Sequence, residues 1–421
     1  MQKENVTYFP SISDVNVAAG AIKHVSAVTP LRLSHRFSKL YGANIFLKRE
    51  DLQEVRSYKI RGAYNKISSL SLKESQNGVV CASAGNHAQG VALSCKLLKI
   101  KGTIFMPTPT PLQKVEQVEM FGEDYVDIKL VGDTFDDAYH AAITVCKQQG
   151  QTFIHPFNDK KVIEGQATVA LEILKQYNKT IDYLFLPVGG GGLSAGVSSV
   201  FKVLSPKTKI IGVEPSGAPS MSVSIKNNEN TTLTEIDKFV DGAAVKRVGD
   251  LTFPICKANL YDMVTVPEGK ICQTILDMYN RDAIVVEPAG ALSLAALDSY
   301  AETIKHKTVV CVVSGSNNDI TRTAEIKERA LLYKNLKHYF IVKFPQRAGA
   351  LKEFVVNILG PNDDITHFEY TKKSNRENGS AVVGIELKDA KDLHPLIDKM
   401  KARNFYGDYL NNTPDLFRFL V

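Results

Sequence analysis

The strongest constraint on the fold is a series of short apolar runs that alternate with helical patterns between residues 45 and 320. Most runs end in a glycine, proline or asparagine turn and lead into apolar residues at helical spacing. Such alternation is typical of a parallel sheet covered on both faces. The runs are too many for one small sheet, so we expect an α/β fold with two parallel-sheet lobes and a cleft between them. The first run begins at residue 45. The later runs cover residues 79–82, 103–106, 125–128, 183–186, 209–213 and 309–313.

Charge and cysteine usage narrow the class of function. The formal charge of +6 over 421 residues is spread without long basic runs, which argues against nucleic acid or a membrane surface as partner. We predict no signal peptide and no membrane span, because no apolar run approaches the required length. None of the six cysteines forms a C-x-x-C pair, so zinc and thioredoxin-type patterns are excluded. We expect a cytoplasmic protein that acts on small molecules.

Residues 57–63, Ser-Tyr-Lys-Ile-Arg-Gly-Ala, contain a candidate nucleophile. Lys59 lies after a loop, at the start of a predicted helix. A lysine held against a helix N-terminus and apolar neighbours has its ammonium form disfavoured, which lowers its pKa and makes the amine a usable nucleophile. Taken alone, the stretch fits a surface lysine on an amphipathic helix better than a nucleophile.

Ligands of parallel sheets bind beyond the C-terminal ends of the strands, and three loops in such positions carry polar or glycine-rich sequence. Residues 83–90, Ser-Ala-Gly-Asn-His-Ala-Gln-Gly, precede a predicted helix whose free N–H groups suit a carboxylate. The four glycines at 189–192 lead into another helix and allow the backbone to wrap a phosphate. Residues 314–319 would point the Ser314 hydroxyl into the cleft. A similar turn at residues 287–291 receives no chemical role.

A dinucleotide-binding dehydrogenase is an alternative from another class. Gly190, Gly192 and Ala195 loosely match G-x-G-x-x-A, and Glu214 ends the next strand, where a ribose ligand is expected. This interpretation leaves the Lys59 loop and the serine and asparagine loops without roles.

Together and in this order, the four stretches resemble the motifs of the fold-type II pyridoxal-phosphate lyases over residues 20–325. Residues 57–63 resemble the cofactor-lysine motif, and residues 83–90 the substrate loop. The glycine run resembles the phosphate-binding loop, and residues 314–317 the loop that meets the pyridine nitrogen. Within that family, the chain is most similar to the biosynthetic threonine dehydratases with one C-terminal regulatory domain.

The resemblance implies roles for individual residues around pyridoxal 5'-phosphate. Lys59 would hold the cofactor as a Schiff base and, once released, take the substrate Cα proton. Ser314 would bond the pyridine nitrogen, and Asn86 the ring hydroxyl oxygen. The substrate carboxylate would be held by Ser83, Ala84, Gly85, Asn86 and His87. The phosphate would be held by Gly189, Gly190, Gly191, Gly192 and Leu193.

The implied reaction is an elimination. A serine hydroxyl is too weak an acid to keep the ring nitrogen protonated, which favours loss of a β-hydroxyl over transamination. Threonine would give 2-oxobutanoate and ammonia, and serine would give pyruvate. Ala84 stands where serine racemases of the family carry a catalytic serine, so racemisation should be minor. Ser220 stands where relatives place a carboxylate for a divalent metal, and no metal site is assigned. A serine or hydroxyaspartate dehydratase and a non-catalytic amino-acid sensor are the remaining alternatives.

The last part of the chain has a different pattern. We expect a catalytic domain over residues 1–325, a linker helix over 326–337 and a regulatory domain over 338–421. The order βαββαβ predicts a ferredoxin-like α+β unit. Residues 344–351, which include the turn Arg347-Ala348-Gly349, resemble the first turn of the ACT-like amino-acid-binding domains, although that family usually has proline in place of Ala348. The resemblance implies isoleucine or valine as an effector and a homotetramer; a dimerisation module without a ligand is the alternative. The predicted strands cover residues 339–344, 365–371, 381–387 and 416–421, with a polar turn at 374–379 and helices around 351–359 and 393–400.

Overall fold

The computed structural model describes residues 8–370, 378–413 and 417. The chain divides into two compact units, Met1–Thr321 and Arg322–Val421. Within the described ranges, no helix combines the length and the apolar character needed to cross a membrane.

The strands of the first unit are β1 Leu31–Leu33, β2 Asn44–Arg49, β3 Val79–Ala82, β4 Gly102–Met106, β5 Val126–Leu130, β6 Thr152–Phe153, β7 Tyr183–Pro187, β8 Lys209–Pro215, β9 Asp262–Val266 and β10 Thr308–Val313. Its helices are α1 Ile12–Ile22, α2 His35–Tyr41, α3 Lys59–Ser68, α4 Leu72–Asn77, α5 Asn86–Leu98, α6 Leu112–Gly122, α7 Phe135–Gln149, α8 Lys160–Gln176, α9 Gly192–Leu204, α10 Ser220–Asn227, α11 Thr252–Asn259, α12 Glu268–Asp282 and α13 Pro288–Ala295. The second unit contains α14 Thr323–Tyr333, β11 Lys337–Pro345, α15 Ala350–Asn357, β12 Asp364–Tyr370, β13 Asn378–Glu386, α16 Leu393–Ala402 and β14 Tyr406–Tyr409.

The first unit contains two sheets, as the apolar runs predict. The larger sheet has the order β1-β2-β10-β7-β8-β9, with β1 antiparallel to β2 and the other neighbours parallel. The smaller sheet, β5-β4-β3-β6, is parallel throughout. Strands β3, β7 and β10 are buried along their whole length, because helices cover both faces of a parallel sheet. The α/β fold with two parallel-sheet lobes is confirmed.

Three strands of the first unit lie outside the predicted runs. Strands β1 and β6 have only three and two residues, too few for a periodic signal. Strand β9, Asp262–Val266, is a half-exposed strand at the sheet edge. It therefore lacks the continuous apolar character that identifies the central strands.

The second unit is an antiparallel sheet of order β12-β13-β11-β14. Residues of α15 and α16 pack with the sheet in one core rich in phenylalanine, including Phe340, Phe344, Phe354 and Phe405. The βαββαβ order is confirmed. The fourth strand among the described residues is β14, which pairs with β11 and was not predicted.

Two of the predictions for this unit fall largely outside the described residues. In the predicted strand 416–421, only Phe417 is described, and its amide donates to the Thr413 carbonyl at 2.9 Å, a helical contact. In the predicted turn 374–379, residues 374–377 lie outside the described ranges. Residues 378 and 379 belong to β13, so the described end of that turn is strand.

Candidate active site

The Lys59 loop and the Ser314 loop lie side by side. Ser57 and Gly315 form an isolated antiparallel bridge. The Tyr58 amide donates to the Ser314 carbonyl at 3.3 Å, and the Ser316 amide donates to the Arg56 carbonyl at 2.9 Å. The fold thus brings together two stretches that are more than 250 residues apart in sequence.

Lys59 is the first residue of α3. Its Nζ donates to the Pro156 carbonyl at 2.9 Å. Burial lowers the pKa of Lys59 to about 8, and the negative charge of Glu287 opposes that shift. Burial and the nearby Lys59 charge lower the pKa of His87 to about 3 and that of His155 to about 4. Lys59 is therefore a partly neutral amine beside two neutral imidazoles at physiological pH.

The predicted substrate loop reaches the same place. Strand β3 ends at Ala82, and α5 begins at Asn86 without a side-chain cap at Gly85, so the first N–H groups of α5 have no partner within the helix. Helix α5 lies close to α3, because a Cβ on Gly90 would lie 3.2 Å from the Lys59 carbonyl oxygen. Residues 83–87 and Lys59 are thus brought together.

Asn86 is held by two other loops. Its Nδ2 donates to Glu287 Oε1 at 2.7 Å, and its Oδ1 accepts from the Asn317 amide. Burial raises the pKa of Glu287 to about 7, and the charge of Asp241 adds to that effect.

Glu287 is the residue of this site to which sequence reasoning gave no role. The available signal was an ionisable side chain directly before Pro288, at the first position of α13. The turn was predicted to follow a strand, but it joins α12 to α13. Only the fold shows that this turn lies against the Lys59 and Asn86 loops.

The glycine loop has no room for side chains. A Cβ on Gly190 would lie 2.2 Å from the Phe157 ring, and one on Gly189 would lie 2.9 Å from the Ala243 Cα. Gly191 has φ +89°, which a side chain disfavours. The first amides of α9, at Gly192 and Leu193, have no partner within the helix. A bare backbone at a helix start is a ready site for a phosphate-sized anion.

Ser314 is buried, and its hydroxyl donates to the Ala289 carbonyl at 3.2 Å. In the neighbouring loops, Ser57 Oγ and Asn317 Oδ1 are buried and have no hydrogen-bond partner among the described residues. Buried polar atoms without partners are uncommon. Their presence beside Lys59 fits a site that a polar ligand completes.

The side chains of Glu214 and Ser220 form hydrogen bonds within the fold. The Glu214 carboxylate accepts from the Met221 amide at 2.7 Å and from the Ser222 amide at 2.9 Å, at the start of α10. The Ser220 hydroxyl donates to the Val245 carbonyl. Because Glu214 is buried and already bonded, it cannot serve as the ribose ligand that the dehydrogenase alternative needs.

The second unit has its own strand-to-helix turn. The Arg347 amide donates to the Pro345 carbonyl at 2.8 Å, and its guanidinium pairs with Glu353 in α15. Gly349 precedes α15 with φ +82°, and a Cβ there would meet nothing within 4 Å. The turn is open, and its cationic side chain already has an acidic partner.

Two known protein families match successive parts of the chain. Residues 22–315 match the family described as pyridoxal-phosphate dependent enzyme, and residues 328–420 match the C-terminal regulatory domain of threonine dehydratase. The chain is 55% identical over 410 residues to L-threonine dehydratase biosynthetic IlvA of Halalkalibacterium halodurans, covering 97% of this chain and 99% of that protein. It is 56% identical over 400 residues to the protein of the same name from Bacillus subtilis, covering 95% of each chain.

Solved structures give a consistent result. Threonine deaminase isoform 2 of Solanum lycopersicum, in its processed form, matches with a TM-score of 0.72 and 40% identity over 76% of this chain and 95% of that chain. Maize serine racemase matches with a TM-score of 0.71 and 31% identity over 77% of this chain and 99% of that chain.

Proposed function

The chain belongs to the pyridoxal-phosphate dependent enzymes, in the group of biosynthetic threonine dehydratases, and from this premise we propose that it deaminates L-threonine to 2-oxobutanoate and ammonia. The observation that carries the proposal is the position of Lys59. Lys59 is the first residue of α3, where the Asn86 and Ser314 loops meet. Its side-chain amine has a pKa of about 8. The deamination would be the first step of isoleucine biosynthesis.

The residues of the site fit pyridoxal 5'-phosphate. Lys59 would bind its aldehyde carbon, and the amides of Gly189, Gly190, Gly191, Gly192 and Leu193 would hold its phosphate. Asn86 would hold the ring hydroxyl, and Ser314 the ring nitrogen. Two observations support the fit: the glycine loop excludes side chains at several positions, and the Lys59 amine is desolvated.

The cofactor, when bound, supplies a conjugated ring that accepts the electron pair left on the substrate Cα. The Lys59 amine takes the Cα proton, because a lysine with a pKa of about 8 is partly neutral near pH 7. The free amides at the start of α5, with residues 83–87, bind the substrate carboxylate. Glu287 holds the Asn86 amide at 2.7 Å and so orients it.

Ser314 biases the outcome. A hydroxyl cannot keep the ring nitrogen protonated, so the ring is a weak electron sink and fast departure of the β-hydroxyl is favoured. Ala84 has no hydroxyl with which to return a proton to the opposite face of Cα. We therefore place elimination ahead of both transamination and racemisation. The second candidate is a serine or hydroxyaspartate dehydratase that uses the same site. The α-carboxylate of any amino acid could be bound by the loop that contains Ser83, Ala84 and Gly85.

We further propose that the second unit binds isoleucine or valine at the Arg347-Ala348-Gly349 turn, and that the protein is a homotetramer. The match of residues 328–420 to a regulatory domain supports an amino-acid effector. The proposed domain limits are 1–325, 326–337 and 338–421, and the first compact unit ends at Thr321, four residues before the first of these limits. A cytoplasmic location is proposed as well, and it is supported by six free cysteines, which are typical of a reducing compartment.

The test is to incubate purified protein separately with L-threonine and L-serine and to follow oxo acid, ammonia and visible absorbance. We expect a coloured protein that releases 2-oxobutanoate and ammonia in equal amounts, with threonine preferred. A preference for serine would favour the second candidate. A colourless protein that forms no oxo acid would refute both.

A further inference from the structure

Helix α8 separates the Lys59 helix, α3, from the phosphate-loop helix, α9. In the proposed function, Lys59 binds the aldehyde of pyridoxal 5'-phosphate and the glycine loop binds its phosphate. The distance between them is therefore a functional quantity, and the residues that set it lie in the packing of these three helices.

The contact between α3 and α8 is made backbone to backbone. A Cβ on Gly165 would lie 2.5 Å from the Arg61 carbonyl oxygen and 2.6 Å from the Gly62 Cα. A Cβ on Gly62 would lie 2.8 Å from the Val162 carbonyl oxygen. The Gln166 Nε2 would also lie 2.4 Å from a Cβ on Gly62. Because the other neighbours are main-chain atoms, rotation of the Gln166 side chain cannot make room. The closest approach occurs within three residues of Lys59.

Ionic contacts also stabilise the interface between α3 and α8. The Arg61 guanidinium is buried and pairs with Glu172 of α8 at 2.7 Å and with Glu50 at 2.8 Å. It also donates to the Thr168 hydroxyl at 3.1 Å. Gly165, Thr168 and Glu172 follow i, i+3 and i+7, so they share one face of α8. That face meets α3 through a close contact and through directional bonds, which together resist sliding.

The opposite side of α8 meets α9 in the same way. A Cβ on Gly196 would lie 2.5 Å from the Ile163 carbonyl oxygen and 2.9 Å from the Ala167 amide nitrogen. Gly196 lies one turn after Gly192, at which α9 begins. The phosphate loop is therefore fixed against α8 as tightly as Lys59 is.

We propose that α8 is the spacer that sets the distance between the Lys59 amine and the glycine loop, and that Gly165 is the positioning residue that fixes it. A methyl group at Gly165 requires the helices to separate by about 1 Å, because non-bonded carbon atoms rest about 3.5–4.0 Å apart. A misplacement of about 1 Å at a reacting group can cost about 10²-fold. The inference rests on the proposed function.

The test compares two ligands in full-length protein freed of cofactor. Pyridoxal 5'-phosphate uses both the phosphate loop and Lys59, whereas pyridoxine 5'-phosphate has no aldehyde and uses only the loop and ring contacts. The dissociation constant of pyridoxine phosphate divided by that of pyridoxal phosphate therefore reports how well Lys59 reaches the aldehyde. In Gly165→Ala we expect this ratio to shrink by tenfold or more, with the affinity for pyridoxine phosphate changed less than threefold.

Two control variants separate spacing from general effects. Gly20→Ala makes the same change in α1, where a Cβ meets nothing within 4 Å, and should leave the ratio unchanged. Ile104→Val removes a methyl group from the buried core of the smaller lobe and should lower stability without changing the ratio. A ratio that falls equally in Ile104→Val would overturn the spacing inference.

The remaining outcomes are also decisive. If wild-type protein binds the two ligands equally, the proposed function itself fails. If wild type discriminates and Gly165→Ala discriminates equally well, only the spacing inference fails. If Gly165→Ala does not fold, Glu172→Gln weakens the same interface from the Arg61 side. A smaller ratio in Glu172→Gln would then support the inference, and an unchanged ratio would refute it.

Discussion

The glycine loop of the first unit and the Arg347-Ala348-Gly349 turn of the second unit both lead from a strand into a helix through a glycine with positive φ. Gly191 has φ +89° and Gly349 has φ +82°. Their surroundings differ. Neighbouring atoms crowd a Cβ at Gly189, Gly190 and Gly191, whereas a Cβ at Gly349 meets nothing within 4 Å.

The difference separates a rigid site from an open one. Around Lys59, each loop is held by another loop, through the Ser57–Gly315 bridge and the bond from Asn86 to Glu287. At the second turn, the cation pairs with Glu353 of the helix that follows it. We therefore expect single changes at the first site to affect chemistry strongly, and changes at the second turn to act weakly.

The largest effect is expected for Lys59→Ala. Without the amine, the cofactor has no covalent anchor and the Cα proton has no base, so oxo-acid production should fall by about 10³-fold or more. Oxo-acid formation and visible absorbance provide the measurement. Lys66→Ala is the control, because Lys66 lies on the same helix and pairs with Asp159 at 3.0 Å. Equal activity in Lys59→Ala and wild type would rule out Lys59 as the base.

Ser314→Asp should change the partition of the reaction. A carboxylate in place of the hydroxyl would keep the ring nitrogen protonated and strengthen the electron sink. Elimination should fall by about 10²-fold, the size of effect seen when a group that interacts with reacting charge is altered. Pyridoxamine phosphate should accumulate relative to oxo acid. An unchanged partition would mean that Ser314 does not contact the ring nitrogen.

Removal of the second unit should abolish regulation and leave catalysis. The cut belongs after Thr321, because α14 lies in the second unit. The truncated enzyme should stay coloured and active and should ignore isoleucine. When isoleucine is added, the apparent threonine affinity of the full chain should fall by about 5- to 150-fold, the usual range of coupling between sites. Threonine titrations with and without isoleucine make the measurement. Equal inhibition of both proteins would place isoleucine in the active site.

Glu287→Gln should lower the pKa of Lys59 below about 8. The Glu287 carboxylate favours the ammonium form of Lys59, so its loss favours the neutral amine. The expected shift is up to about one pH unit, or about 1.4 kcal/mol. The pH dependence of Lys59 modification in cofactor-free protein measures it. Asp282→Asn is a matched control, since Asp282 pairs with Arg36 and not with Lys59. A pKa that rises in Glu287→Gln would contradict the assigned geometry.

The smallest effect is expected for Gly349→Ala. The methyl group meets no atom, so the cost is only that of holding alanine at positive φ, about 1 kcal/mol. Gly190→Ala, which drives a Cβ into the Phe157 ring, should cost far more and should weaken cofactor binding. Thermal unfolding with and without cofactor compares the two. Similar losses of thermal stability in the two variants would contradict the difference between the rigid site and the open turn.

Sequence patterns predicted the parts of the fold that are buried and continuous. Val79–Ala82 and Thr308–Val313 are apolar at nearly every position, because helices cover both faces of their sheets. Tyr406–Tyr409 could not be identified in this way. It is a four-residue edge strand with polar and aromatic residues, and its pairing with β11 is a tertiary contact that leaves no local signal.

For the site, sequence reasoning identified the loops but not how they hold one another. Ser57, Lys59 and Ser314 lie in stretches with motif character, and the structure brings them together. Gly165 has no such character, and Glu287 lies in a turn that received no chemical role. Their importance depends on neighbours distant in sequence, which are Asn86 for Glu287 and the backbone of Arg61 for Gly165.

The central claim is that Lys59 carries the cofactor, and borohydride reduction of the purified full-length protein tests it most directly. Reduction should bleach the visible absorbance, stop threonine deamination and leave one stable cofactor adduct on the peptide that contains Lys59. Digestion and mass spectrometry locate that adduct. An adduct on any other lysine, or bleaching without any adduct on Lys59, would contradict the account.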